Sequence, residues 1–214
     1  MRQTLKLLGM ASMIAATSWA SISEAAFFSF PRALKFQLEQ ISFKTPALAP
    51  IGHTLFCIQY KDDCEAQGTD FRRRNVALTP ERWNELTTIN REVNRDIKPQ
   101  RNEGGLLTER WLISPKVGEC HDYAVTKRHE LLARGWSSRS LLLSEVIAAS
   151  GEHHLVLVVR MKDVDLVLDN LSANVRPVTM THYQWVRVES PSNPKYWSTV
   201  SLPPSLQRTA MLAE

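Results

Sequence analysis

The residues of this chain with the chemistry for nucleophilic catalysis are a cysteine entering a helix, two histidines opening a strand and an aspartate closing the next one. Cys120 stands in the stretch Val117-Gly118-Glu119-Cys120-His121-Asp122-Tyr123-Ala124, at a loop-to-helix junction. A thiol there feels the positive end of the helix dipole and backbone N–H groups without helical partners. Both favour the thiolate, the form that attacks carbonyls. The same N–H groups offer a seat for a developing oxyanion. Gly118 is expected to let the chain turn sharply into the helix. A buried structural cysteine is the plainer reading, and the polar neighbours argue against it.

A thiol nucleophile needs a base, and the base needs an orienter. The candidates are His53, His121, His129, His153, His154 and His182. His121 follows the cysteine on the helix and is expected to point away from it, and His129 lies more than two turns on. His53 and His182 fall in loop-like stretches. His153 and His154 open a strand whose residues alternate between faces, so one histidine faces each side; His154 shares its side with Val156 and Val158. The following strand ends at Asp169. A histidine and a carboxylate on antiparallel neighbours meet side by side, with the cysteine helix packed on the same sheet. A structural His–Asp pair is the alternative, and the chain order Cys, His, Asp favours the catalytic one.

Several elements must position these groups. Thr79-Pro80 is a capping residue followed by proline at the first helical position. Trp83, Leu86, Ile89, Val93 and Ile97 then form one apolar stripe, which predicts a core-facing helix ending before Pro99. Asn90 and Asn94 flank the stripe; polar contacts are one reading, and a solvated face is the expected one. Pro99, Gly104-Gly105, Pro115 and Gly118 make residues 98–118 a loop with at most short structure. A second helix runs from Cys120 to Arg134 and stops at Gly135. The period then becomes strand-like over 141–147, 154–160 and 164–169, with Gly151 and Lys162-Asp163 at the turns, and Val186 and Val188 mark one more strand. Helices followed by an antiparallel sheet predict an α+β fold.

The first 25 residues carry a basic start (Arg2, Lys6), a mostly apolar run from Leu7 to Ala20 and the small residues Ser23 and Ala25. This predicts a secretory signal peptide over 1–25 and an exported, periplasmic or secreted product with no membrane span after cleavage. The rest, 26–214, suits a single domain, with an irregular arm over 26–50 and a weakly structured tail over 204–214. The formal charge of +4 falls to near +3 without Arg2, Lys6 and Glu24, too little to argue for nucleic acid. The cluster Arg72-Arg73-Arg74 reads as a solvated loop. Of three cysteines, Cys57 and Cys64 lie in a polar, loop-like stretch and are expected to form a disulfide, which leaves Cys120 as the odd thiol.

Four segments resemble the bacterial transglutaminase-like cysteine proteinases, a family that includes LapG-type periplasmic proteases that release surface adhesins. They are Pro50-Ile51-Gly52-His53 with its two following cysteines, the block from Gly118 to Ala124, His154-Leu155-Val156-Leu157, and Val167-Leu168-Asp169-Asn170-Leu171. The resemblance implies a papain-like, transglutaminase-type core, a Cys120–His154–Asp169 triad and a peptidase acting on a protein or peptide of the cell envelope. It also selects His154 over His153, because the family's histidine leads into a short apolar strand. Acyl transfer to an amine, a protein cross-linking reaction, and a non-catalytic binding module of the same fold are the competing functions. The adhesin-releasing members carry Asp-Cys-Glu-Asp, linked to calcium, where this chain has Glu119-Cys120-His121-Asp122. A histidine in place of a hard oxygen donor predicts no cofactor, with Glu119 and Asp122 as candidates for a weak calcium site at most.

Overall fold

The computed structural model describes residues 40–67, 76–100 and 109–201. The expected signal segment, most of the arm, the arginine cluster and the tail lie outside these residues. The fold is α+β. Strand β1 (Ser42–Ala47) precedes helices α1 (Ile51–Gln59) and α2 (Pro80–Asp96), short strands β2 (Lys98–Pro99) and β3 (Val117–Gly118), and helix α3 (Cys120–Ala133). Strands β4 (Leu141–Ile147), β5 (His153–Arg160), β6 (Asp165–Leu168), β7 (Arg176–Pro177), β8 (Gln184–Ser190) and β9 (Asn193–Ser201) follow. All the long strands join one antiparallel seven-stranded sheet, in the order β1-β9-β8-β4-β5-β6-β7. No helix among the described residues is long and apolar enough to cross a membrane.

The pleat sorts the core. Leu141 and Leu143 of β4, Leu155, Leu157 and Val159 of β5, and Leu166 and Leu168 of β6 pack with Leu86, Ile89 and Val93 of α2 and Tyr123, Ala124 and Leu131 of α3. The alternate residues Leu142, Val146, Val156, Val158 and Val167 form a second cluster with Trp185 and Val188. Thr79 caps α2 by accepting the Arg82 N–H at 3.4 Å, as the Thr-Pro start predicts. Gly135 takes the left-handed conformation after α3 (φ 85°).

Four expectations are corrected. The arm over 26–50 is not irregular throughout, because its residues 42–47 form an edge strand of the main sheet. The register shift between Phe43 and Pro46 accommodates a proline that has no N–H for the ladder. The stretch before Cys64 is not a loop, since Cys57 lies on α1. Trp83 is not core but more than a third exposed. Asn90 and Asn94 are not solvated: Asn90 is fully buried and both grip the loop after β6. A ninth strand, β9, was also absent from the sequence reading; it is a full member of the sheet.

Candidate active site

Cys120 opens α3, and it is the free cysteine of the described residues; Cys57 and Cys64 are joined in the expected disulfide. The start of α3 is fixed by Asp122, whose Oδ2 accepts the Glu119 N–H and whose Oδ1 accepts the Leu112 N–H, both at 2.8 Å. Thr126 accepts the Ser114 N–H at 2.8 Å, so two side chains of α3 bind the incoming strap to the helix. Gly118 serves this arrangement by its size, not by a sharp turn. A Cβ there would collide with the Asp122 carboxylate.

His154 lies at the start of β5. The pairing of Leu157 with Leu168 puts position 169 on the same side of the sheet as His154, two residues along. Accordingly His154 Nε2 and Asp169 Oδ1 are 2.8 Å apart, both side chains buried. Asp169 Oδ1 also accepts the Leu171 N–H at 3.0 Å, and Oδ2 accepts the Tyr183 hydroxyl. Asp169 occupies Nε2, which leaves Nδ1 of His154 for the thiol. Burial pushes the Cys120 thiol up. Hydrogen bonds with His121 and His154, the His154 charge and the Leu155 backbone outweigh it, and the thiol falls to about 7. Burial pushes His154 down, but bonds to Asp169 and Cys120 raise it to about 9. Burial raises Asp169, yet His154, Tyr183 and Leu171 hold it below the usual carboxylate range. Between these values the stable form is a thiolate beside an imidazolium.

The other histidines separate cleanly. His153 is exposed and pairs with Glu145 at 2.6 Å. His129 pairs with Asp63 at 3.0 Å. His53 is on a helix rather than in a loop. It is buried, accepts from Trp197 Nε1 at 3.3 Å, and contacts Glu189 at 2.9 Å. Glu189 in turn accepts the Leu143 N–H and lies 3.5 Å from buried Arg128, so His53 belongs to a structural network. His182 is exposed and borders a small cavity of about 160 Å³ beside Asp169 and Tyr183. His121 departs from expectation: it is buried and contacts Cys120 instead of pointing away.

Tyr183 escaped sequence reasoning, and Asn90 and Asn94 take the polar-contact role that the sequence ranked second. Tyr183 carries no signal in sequence. Burial and the Asp169 carboxylate raise its phenol, so it stays a donor to that carboxylate. Asn94 Nδ2 donates to the carbonyls of Asp169 (2.9 Å) and Ser172 (3.2 Å), and Asn90 Nδ2 to those of Ser172 (2.9 Å) and Ala173 (3.3 Å). The available signal was two asparagines spaced four apart beside a helix's apolar stripe, where carbonyls of a packed loop need donors.

A groove of about 390 Å³ runs past the thiol, lined by Gln100, Gly118, Glu119, Cys120, His153 and Asn170 among others. Calcium, which the family resemblance implies, needs several oxygen donors converging on one point. Here both Asp122 oxygens already accept backbone N–H groups, and the His121 ring stands 3.5 Å from Asp122 and 3.6 Å from Glu109. Among the described residues, the metal-sized cluster is His53, Cys57 and Cys64, whose sulfurs are bonded to each other. Among the described residues, those beside Cys120 do not fit a calcium ion.

Structures of Legionella pneumophila LapG are similar to this chain: one is 20% identical with a TM-score of 0.42, over 49% of this chain and 62% of that one. An EGTA-treated LapG gives 20%, 0.43, and coverage of 52% and 64%, and a calcium-bound LapG gives 18%, 0.49, and coverage of 64% and 83%. No curated protein matches the sequence. The family model for the bacterial transglutaminase-like cysteine proteinases matches residues 43–203. That span includes Cys120, His154 and Asp169, and the chain belongs to this family.

Proposed function

We propose that the protein is an exported cysteine peptidase that cuts a protein or peptide of the cell envelope, with Cys120 as nucleophile, His154 as its base and Asp169 orienting that base. The observation that carries the reading is the 2.8 Å His154–Asp169 pair, whose remaining ring nitrogen serves a thiol at a helix start. The Cys120 thiolate attacks the scissile carbonyl, and the N–H groups opening α3 face the charge that moves onto oxygen. As the intermediate collapses, His154 gives its proton to the departing amine, leaving a thioester on Cys120 and a neutral imidazole. His154 then takes a proton from water as the water adds to the thioester. Collapse of that intermediate releases the acid and restores the thiolate–imidazolium pair.

Family membership and the disulfide support export and peptidase chemistry, and residues 1–25 supply the targeting pattern. No step of this reading uses calcium: His121 stands beside the Asp122 and Glu109 carboxylates, and backbone N–H groups hold Asp122. The test compares envelope proteins of cells carrying the wild-type chain with those carrying Cys120→Ala. A protein that is cut by wild type and accumulates intact with Cys120→Ala supports the reading, and it must be cut equally in EGTA. Addition of a primary amine separates the competing chemistry: incorporation of the amine at a glutamine, without chain cleavage, would replace peptidase by acyl transferase.

A further inference from the structure

The cavity of about 160 Å³ beside Asp169 takes no part in the mechanism above. Three segments build it. The loop after β6 supplies Leu171 and Asn174, β7 supplies Arg176, and the stretch before β8 supplies His182 and Tyr183. Its shape is set in advance. Asn90 and Asn94 hold the carbonyls of Asp169, Ser172 and Ala173, and Ser172 Oγ accepts the Asn174 N–H at 3.1 Å. A ligand entering it therefore has little chain to order. Among the described residues, Arg176 is exposed and makes no hydrogen bond or ion pair, and neither do the Asn174 side-chain amide and the His182 ring. The carboxylate lining the cavity is Asp169, and its oxygens are already engaged, Oδ1 with His154 and the Leu171 N–H and Oδ2 with the Tyr183 hydroxyl. The cavity thus presents donors and one cation whose partner must come from outside the described residues. A planar guanidinium pairs best with a carboxylate, which it meets with two parallel N–H bonds.

The cavity and the groove past the thiol share their walls. Asn170 lines the groove, and its chain neighbours Asp169 and Leu171 line the cavity. Ala149 lines the cavity, and Glu152 of the same β4–β5 turn lines the groove. That turn is closed by the Ala148 N–H to the Glu152 carbonyl at 3.0 Å and the Gly151 N–H to the Ala148 carbonyl at 2.8 Å. We infer that the cavity is a substrate subsite for a carboxylate, held by the Arg176 guanidinium with Asn174 and His182 as further donors. The inference rests on the peptidase reading. A peptide whose scissile carbonyl meets Cys120 passes over Asn170 and places an acidic group in the cavity from about four residues away or fewer, at roughly 3.3 Å per extended residue. Glu119 and Glu152 on the groove repel such a group beside the thiol, and Arg176 draws it into the cavity.

The test digests a proteome-derived peptide library with the wild-type chain, Arg176→Gln and Arg176→Glu, taking Cys120→Ala as the blank and reading cut sites by mass spectrometry. Arg176 is exposed and unbonded, so the Arg176 variants should melt with the wild type. Wild type should enrich Asp and Glu about fivefold at one position near the cut. Arg176→Gln should lose that enrichment, and Arg176→Glu should replace it with Lys and Arg. A peptide built on the wild-type preference, with Glu or Gln at that position, then gives kcat/KM. The Glu peptide should lead by roughly fivefold for wild type, mostly through KM, and not at all for Arg176→Gln. Two sources of the carboxylate both meet the inference. An internal Asp or Glu preference means a side chain fills the cavity, whereas cuts at a fixed distance from the peptide C-terminus, lost on amidation, mean the terminal carboxylate does. Wild-type cuts with no such preference, or a preference that survives unchanged in Arg176→Gln, overturn the inference and leave the peptidase reading standing. Absence of any Cys120-dependent cut overturns the peptidase reading and this inference with it.

Discussion

Replacing Asn94 by leucine keeps the side-chain volume close and removes the donor that holds the carbonyls of Asp169 and Ser172. Each lost bond costs roughly 1 kcal/mol net, and each buried carbonyl left without a partner costs roughly 1–3 kcal/mol. A loss of about 2–4 kcal/mol is expected, and for a chain of this size each kcal/mol lowers Tm by roughly 2–4 °C. The same change frees the backbone of Asp169, whose carboxylate orients His154. Cys120 alkylation near pH 6, below the thiol's value of about 7, should therefore fall by about one order of magnitude, the effect of a roughly 1.4 kcal/mol loss. Asn90→Leu is the matched control. It removes bonds to Ser172 and Ala173 but none to Asp169, so Tm should drop comparably while reactivity falls much less. Differential scanning fluorimetry and mass-resolved alkylation on both variants read the two effects separately. Equal losses of reactivity in the two, or a large loss of Tm with unchanged reactivity in Asn94→Leu, would refute the idea that this clamp positions the carboxylate.

Asp169→Asn retains an acceptor for His154 but no charge. The rise of His154 to about 9 corresponds to roughly 3 kcal/mol in favour of imidazolium, shared between Asp169 and Cys120. The alkaline limb of the alkylation profile should move below pH 9, read by the same pH series. Lys127 is fully buried over the Tyr123 ring, 5.9 Å from its centroid, and burial lowers its amine to about 7 against a smaller upward pull from Asp169. The unfolded chain thus binds more protons than the folded one between about pH 7 and 10.5, so this group makes stability rise with pH there by up to about 1.4 kcal/mol per pH unit. Lys127→Met should abolish that rise in denaturant-melt series from pH 7 to 9. Replacing both Cys57 and Cys64 by serine reopens a short loop and should cost roughly 2–3 kcal/mol in melting experiments. It should leave Cys120 alkylation unchanged, since the disulfide does not line the groove.

What was legible in the sequence followed from local periodicity and punctuation. The stripe of α2 with its Thr79-Pro80 start, the entry of α3 at Cys120 and its exit at Gly135, and the Val- and Leu-rich runs of β4 to β6 all carry their signal within a few residues. Alternation along two neighbouring strands put one of His153 and His154 on the side of Asp169, and the family resemblance chose His154. β1 and β9 were not legible for a physical reason. Both lie toward one margin of the sheet, where Pro46 interrupts one and polar residues crowd the other, so neither shows an apolar alternation. Tyr183, Asn90 and Asn94 act on partners 14 to 83 residues away in the chain. No local pattern records such a pairing. His121 was misread because adjacency on a helix separates side chains by about 100°, which excludes a shared face but not a shared end. At the first turn the ring meets the incoming strap, where Trp111 stacks on it and Glu109 stands 3.6 Å from it.

The assignment of Cys120 as a nucleophile paired with His154 is tested most directly by the pH profile of Cys120 alkylation in the wild-type chain, His154→Ala and His153→Ala. The account predicts a midpoint near 7 for wild type, the same midpoint for His153→Ala, and for His154→Ala a midpoint shifted well up, toward the roughly 8.5 of an unperturbed thiol. A wild-type midpoint already near that value, or a shift in His153→Ala with none in His154→Ala, would contradict it.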